Sequence, residues 1–313
     1  MKGLILAAGM GSRLRPITNR VPKPLLPIAN KPCIHYSIEA LSESGISEIA
    51  VVTGHHADLL EDALTHDESM GVHLAFVRQP EPKGLAHAVF FAREFIGREP
   101  FVLLLGDTLH DMDLRPFWER ALSESADCLA LVAPVDNPRR YGIAVLDGDR
   151  IAALEEKPAR PKSNLAIAGA YVFGASLWDV LPDLRPSERG ELEITDAIQM
   201  LVNNGGKVVA ERYGGWWQDT GTLDYMVSAN RYWMKKKDVT SALLGTGAVV
   251  TDASVRDFTS VGELAEISGG TVRNSIVLPG IRLHLNGGTV RSCLVGVDTD
   301  LAPGEVIEHQ ILG

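Results

Sequence analysis

The chain is poor in cysteine: Cys33, Cys128 and Cys293 are the three in 313 residues, they lie far apart, and no CxxC pair occurs. An odd, scattered set excludes a disulfide framework and a cysteine zinc site, and reads as reduced, buried or incidental thiols. Basic runs are equally scarce. The formal net charge is -10 and the longest basic stretch is Lys235-Lys236-Lys237, so neither a nucleic acid nor an anionic membrane surface has an electrostatic footprint to bind. That triplet reads as a solvated helix end. No apolar run approaches a membrane span and no leader pattern precedes the first strand, which places the expected protein in the cytoplasm, off the membrane. What is present is ordinary: 45% hydrophobic and 22% charged residues suffice for a real core, and the length suggests two domains.

The most informative stretch is Met1–Pro32, MKGLILAAGMGSRLRPITNRVPKPLLPIANKP. Leu4-Ile5-Leu6-Ala7-Ala8 is a buried strand that ends in Gly9-Met10-Gly11-Ser12-Arg13, a tight loop able to present backbone N–H groups to phosphate. The third glycine of a dinucleotide fingerprint is missing, because Leu14 stands there, and no Gly-Lys-Ser/Thr of a P-loop occurs. A bare GxG is more often a plain turn. Here Arg13, Arg15 and Lys23 share one segment with Pro16, Pro22, Pro24 and Pro27, which restrict where the cations can swing.

Along the chain, strands at 49–52, 73–77, 101–105, 128–132, 143–146 and 166–173 alternate with helices starting after Pro32 and at 57–64, 85–95 and 193–203. The alternation predicts an α/β fold, a mostly parallel Rossmann-like sheet with helices on both faces and ligands at the carboxyl ends of its strands. Beyond Lys237 glycines and short apolar steps take over. Ser254-Val255-Arg256, Thr271-Val272-Arg273 and Thr289-Val290-Arg291 recur at spacings of 17 and 18 residues, about one coil of a triangular parallel β-helix. The expected division is 1–238 and 239–313, the second part a small left-handed parallel β-helix; a loose antiparallel β domain is the alternative. Acyl transfer by this region has only His284 and His309 as candidate bases, so a packing, oligomer or regulatory role is expected.

Chemistry-bearing residues follow the strands. Asp107 stands at the tip of Phe101-Val102-Leu103-Leu104-Leu105, where a carboxylate could help hold a hard divalent cation together with phosphate oxygens. Asp219, in Trp217-Gln218-Asp219-Thr220-Gly221-Thr222, could complete such a site or could serve the helix beginning near Leu223. The Gln79 amide can both donate to and accept from a pyrimidine edge, with Gly84 exposing backbone beside it. His87, at a helix start, reads as structural. Glu155-Glu156-Lys157-Pro158 taken alone reads as a solvated edge.

LAAGMGSRLRP followed by PKPLLPIANKP resembles the signature of the sugar-1-phosphate nucleotidylyltransferases, and later motifs resemble the long-form glucose-1-phosphate thymidylyltransferase branch; the likeness covers about the first three quarters of the chain. It implies a nucleoside triphosphate and a sugar 1-phosphate as partners, Mg²⁺ as cofactor, and a homo-oligomer, dimer or tetramer. By this resemblance Leu6, Ala8, Gly9, Gly11, Gln79, Gly84 and Asp107 would bind the nucleotide, with Gln79 and Gly84 reading thymine or uracil. Arg13, Lys23 and Lys157 would be catalytic, Asp107 and Asp219 would hold the metal, and Gly142, Glu156, Lys157 and Glu191 would bind the sugar phosphate. The implied reaction joins dTTP to glucose 1-phosphate, with UTP or another hexose 1-phosphate as the alternative and a silent nucleotide-sugar-binding subunit as a second one. Thr108 and Gln218 depart from the residues frequent in thymidylyltransferases.

Overall fold

A computed structural model describes residues 1–66 and 71–313. Chain contacts divide it into two compact units, Met1–Gly9 with Ser37–Trp217, and Met10–Tyr36 with Gln218–Gly313. The short N-terminal segment 10–36 thus groups with the C-terminal residues.

In the first unit, nine strands form one sheet among the described residues, in the order His73–Arg78, Glu48–Thr53, Lys2–Leu6, Phe101–Leu105, Leu165–Phe173, Cys128–Pro134, Val208–Arg212, Arg150–Glu156, Gly142–Asp147. The first four pair in parallel, and their continuous apolar runs fit strands covered on both faces. The rest is less parallel than the alternation predicts. Leu165–Phe173 runs antiparallel to both neighbours, and Gly142–Asp147 and Arg150–Glu156 form an antiparallel hairpin. The reason is loop length: only Gly148 and Asp149 separate the hairpin strands, and two residues cannot make a parallel crossover. The predicted helix at 85–95 is two pieces, Leu85–Phe91 and Arg93–Ile96. Phe101 anchors the core between Phe173 and Trp178, at centroid distances of 5.8 and 5.7 Å.

In the second unit, successive short strands from Ala242 to Leu312 fall in rotation onto three stacks of five, four and four, and every pairing is parallel. This is consistent with a β-helix and overturns the antiparallel alternative. The repeat read in the sequence is the register: Thr271, Val272 and Arg273 pair with Thr289, Val290 and Arg291, and with Ser254, Val255 and Arg256 on the other side. Val272 and Val290 point into the coil. Asp257, Asn274, Ser292 and His309 follow the repeated strand in turn, each at positive φ, a corner conformation that short polar residues tolerate best.

Segment 10–36 is pinned to this unit at a two-residue hairpin turn. Pro27–Ile28 pairs with Lys31–Pro32, leaving Ala29 and Asn30 at φ 48° and 60°, the positive pair a tight hairpin turn demands. Asn30 Nδ2 donates to the Leu243 and Val261 carbonyls, and Lys237 Nζ to the Ala29 carbonyl. The predicted solvated helix end therefore has one working member: Leu223–Lys236 closes on Lys237. Cys33, Cys128 and Cys293 are all free and buried. Among the described residues no helix is long and apolar enough to cross a membrane.

Candidate active site

Four parallel strands of the first unit end side by side, with Leu6 opposite Val52 and Leu105, and Thr53 opposite Arg78. Ala8 and Gly9, Gln79, and Gly106 with Asp107 lie one to three residues beyond these ends. A row of strand carboxyl ends is where open α/β sheets bind ligands. A Cβ on Gly9 would meet nothing within 4 Å, so no protein packing asks for glycine there. Asp107 is half-buried, with Thr108 Oγ1 3.5 Å from its Oδ1.

Gln79 continues the ladder beyond its strand, its N–H bonded to the Thr53 carbonyl. Its side chain is buried, and Nε2 donates to the Gly84 carbonyl at 3.2 Å and stands 2.9 Å from His87 Nδ1. Gly84 has φ 106°, and a Cβ there would lie 2.5 Å from the Leu192 carbonyl oxygen. Both facts require glycine. Gln79 and Gly84, expected to face a pyrimidine base, are in direct contact with each other.

The sugar-side residues also meet. Gly142 pairs with Glu156 across the hairpin, and a Cβ on Gly142 would fall 2.3 Å from Thr195 Cγ2. The Thr195 hydroxyl donates to Glu156 Oε2 at 3.0 Å, while Glu156 Oε1 lies 3.4 Å from Lys157 Nζ and 3.5 Å from Arg189 Nη1. Lys157 has φ 42°, uncommon for a residue with a Cβ, and its N–H bonds the Tyr141 carbonyl. Strain of this kind collects at ligand sites. Glu191 is half-buried, its Oε1 3.3 Å from Arg189 Nη2. Sequence reasoning missed Arg189, which joins Glu156, Glu191 and Glu193, because Ser187-Glu188-Arg189-Gly190 reads as a solvated loop. Burial, and then the nearby Glu156, push the carboxyls of Glu193 and Asp196 above their usual range. A patch this acidic favours a hydroxyl-rich ligand that can donate hydrogen bonds, with cations to meet a phosphate.

In the second unit the cations of the opening loop gather at Asp219. Lys23 is buried, its Nζ 3.8 Å from Asp219 Oδ1, and that oxygen accepts from the Gly221 N–H at 2.6 Å. A Cβ on Gly221 would lie 2.7 Å from both Asp219 Oδ1 and Arg13 Nη2. Arg13 itself is exposed. Gly11, at φ 60°, is held by Thr18, whose hydroxyl donates to its carbonyl at 2.9 Å. Asp219 does serve the turn before Leu223–Lys236, although Thr222 is the cap residue of that helix.

Among the described residues no group of three or more His, Cys, Asp or Glu is placed to hold a metal ion. That excludes an all-protein cage there but suits Mg²⁺, which keeps waters and substrate oxygens and needs one or two carboxylates.

Within the first unit, a strand-end edge with a pyrimidine-compatible amide and a lysine in strained backbone beside a glutamate are features suited to a nucleotide-handling transferase. The chain belongs to the nucleotidyl transferase family, whose model matches residues 2–236. It is 36% identical to a glucose-1-phosphate thymidylyltransferase of Streptomyces griseus, over 89% of this chain and 81% of that one. It is 41% identical to the low-salt glycan biosynthesis nucleotidyltransferase Agl11 of Haloferax volcanii, over 82% and 71%. Among solved structures it resembles a UDP-glucose pyrophosphorylase complexed with UDP-glucose, at 30% identity and a TM-score of 0.69 over 75% of this chain and 98% of that one.

Proposed function

We propose that the protein transfers the thymidylyl group of dTTP to glucose 1-phosphate, giving dTDP-glucose and pyrophosphate. The reading is carried by the strand-end edge, where Gly9, Asp107 and a Gln79–Gly84 pair stand together beyond parallel strands. The likeness to a thymidylyltransferase along most of the chain supports it. The structural likeness to a UDP-glucose enzyme favours UTP as the second reading.

A sugar phosphate, with a second pKa of about 6, is largely a dianion at neutral pH and is already the nucleophile. No general base is needed. The protein's task is in-line positioning against the α-phosphorus and relief of repulsion between two anions, roles proposed for Arg13, Lys23 and Lys157. Gln79 and Gly84 would read the base, Leu6, Ala8, Gly9 and Gly11 the nucleotide, and Gly142, Glu156 and Glu191 the sugar. Asp107 and Asp219 would hold Mg²⁺, which when bound lends positive charge to phosphate oxygens. The same proposal takes 1–238 as the catalytic region, 239–313 as a left-handed β-helix, and the protein as a cytoplasmic homo-oligomer.

The test is pyrophosphate release with Mg²⁺ across dTTP, UTP, GTP, CTP and ATP against glucose, galactose, mannose and N-acetylglucosamine 1-phosphates. The largest kcat/KM is expected with dTTP and glucose 1-phosphate. Preference for UTP moves the reading to its alternative, and no release from folded protein with any pair overturns both.

A further inference from the structure

Gln79 Nε2 has two hydrogens and two neighbours, the Gly84 carbonyl at 3.2 Å and His87 Nδ1 at 2.9 Å. A carbonyl only accepts, so the nitrogen of the amide, not its oxygen, faces Gly84. His87 Nδ1 then carries the lone pair and Nε2 the proton. The surroundings hold that state: burial, and after it Lys83, lower the imidazole's pKa against an opposing pull from Glu81. The ring is steadied by Phe91 one turn along the helix, edge to face at 5.0 Å. The loop is steadied by Leu192, whose N–H bonds the Lys83 carbonyl and whose carbonyl accepts from Ala86. Among the described residues no protein donor reaches Gln79 Oε1.

We propose that His87 is a positioning residue for base selection, locking the Gln79 amide so that Oε1 alone is offered to the nucleotide as an acceptor for the N3–H of thymine or uracil. This rests on the nucleotidyl-transfer reading above. Cytosine presents a lone pair at N3 and adenine one at N1, so a fixed acceptor repels both. An amide free to turn over would donate to them instead. His87 adds a second acceptor to the Gly84 carbonyl, and the two together convert an ambidextrous side chain into a one-sided reader.

The experiment compares kcat/KM for dTTP and CTP, with glucose 1-phosphate, in the unaltered protein, His87→Gln and His87→Phe. Phenylalanine keeps a ring without a lone pair, and glutamine keeps an acceptor. The dTTP-to-CTP ratio should fall about 3–10-fold in His87→Phe, the worth of one neutral hydrogen bond, and be largely kept in His87→Gln. In the unaltered protein the ratio should also fall once the pH drops through the imidazole's lowered pKa, because the imidazolium cannot accept. A merely structural role would lower both nucleotides together and leave the ratio alone. An unchanged ratio in His87→Phe with intact dTTP turnover overturns this inference and spares the function. If that variant does not fold, an unchanged ratio with intact dTTP turnover in His87→Leu, which likewise has no lone pair, overturns it. Absence of turnover with dTTP and UTP in the unaltered protein overturns the function and this inference with it.

Discussion

Asn230, in the middle of Leu223–Lys236 and wholly buried, is the joint of the second unit. Its Oδ1 accepts from the Ala29 N–H at 2.7 Å and from the Ser260 hydroxyl at 2.9 Å, while its Nδ2 donates to the Phe258 carbonyl at 2.9 Å. One amide thus ties a helix to the hairpin turn of segment 10–36 and to the first coils of the repeat. Replacing Asn230 with alanine orphans the buried Ala29 N–H and the half-buried Phe258 C=O, each costing about 1–3 kcal/mol, while the Ser260 hydroxyl can rotate to another acceptor. The expected loss is about 3–5 kcal/mol, a large share of the 5–15 kcal/mol typical of a folded domain. Asn230→Asp keeps the acceptor but sets an oxygen against the Phe258 carbonyl, so it should also lose about 2–4 kcal/mol near neutral pH. Urea unfolding followed by tryptophan fluorescence reads this, since Trp233 lies on the same helix 4.5 Å from Tyr36. A loss below about 1 kcal/mol in Asn230→Ala would refute the reasoning, because it would mean those groups are satisfied without the amide.

Two further outcomes follow from the first unit. Gly142→Ala should push Thr195 away from Glu156, since the new methyl would overlap Thr195 Cγ2; losing a hydrogen bond to a charged group, about 1.5–3 kcal/mol, should raise KM for glucose 1-phosphate about tenfold or more with KM for dTTP little changed, and equal changes in both would contradict the sugar-side assignment. His110 is half-buried, its Nε2 on the Ala168 carbonyl, and desolvation lowers its pKa. The unfolded chain therefore takes up a proton near pH 6.5 that the native protein refuses, so stability is full above about pH 6.5 and falls as pH drops toward the lower native value. His110→Gln should flatten the melting-temperature loss between about pH 7.5 and 5.5 measured calorimetrically, and an undiminished loss would exclude His110 as the cause.

Local patterns determined much of this protein. Continuous apolar runs give the strands at 49–52 and 101–105 because a strand covered on both faces has no polar positions, and the repeated Thr-Val-Arg is the solenoid register because stacked coils place equivalent residues side by side. Gln79 and Gly84 were legible as candidates from the chemistry of an amide and an exposed backbone, Gly142 and Glu156 from family resemblance; that each pair touches came from the structure. Tertiary structure decided the rest. Strand direction around Leu165–Phe173 depends on which edge is open when that strand arrives, and no local pattern records it. The bond from His87 to Gln79 and the reach of Arg189 to three glutamates depend on where loops close, since each links groups whose types alone read as a structural histidine and a solvated charge. The chain wrote its contacts of short period; packing chose among those that close over long separations, because their geometry exists only once the backbone between them is fixed.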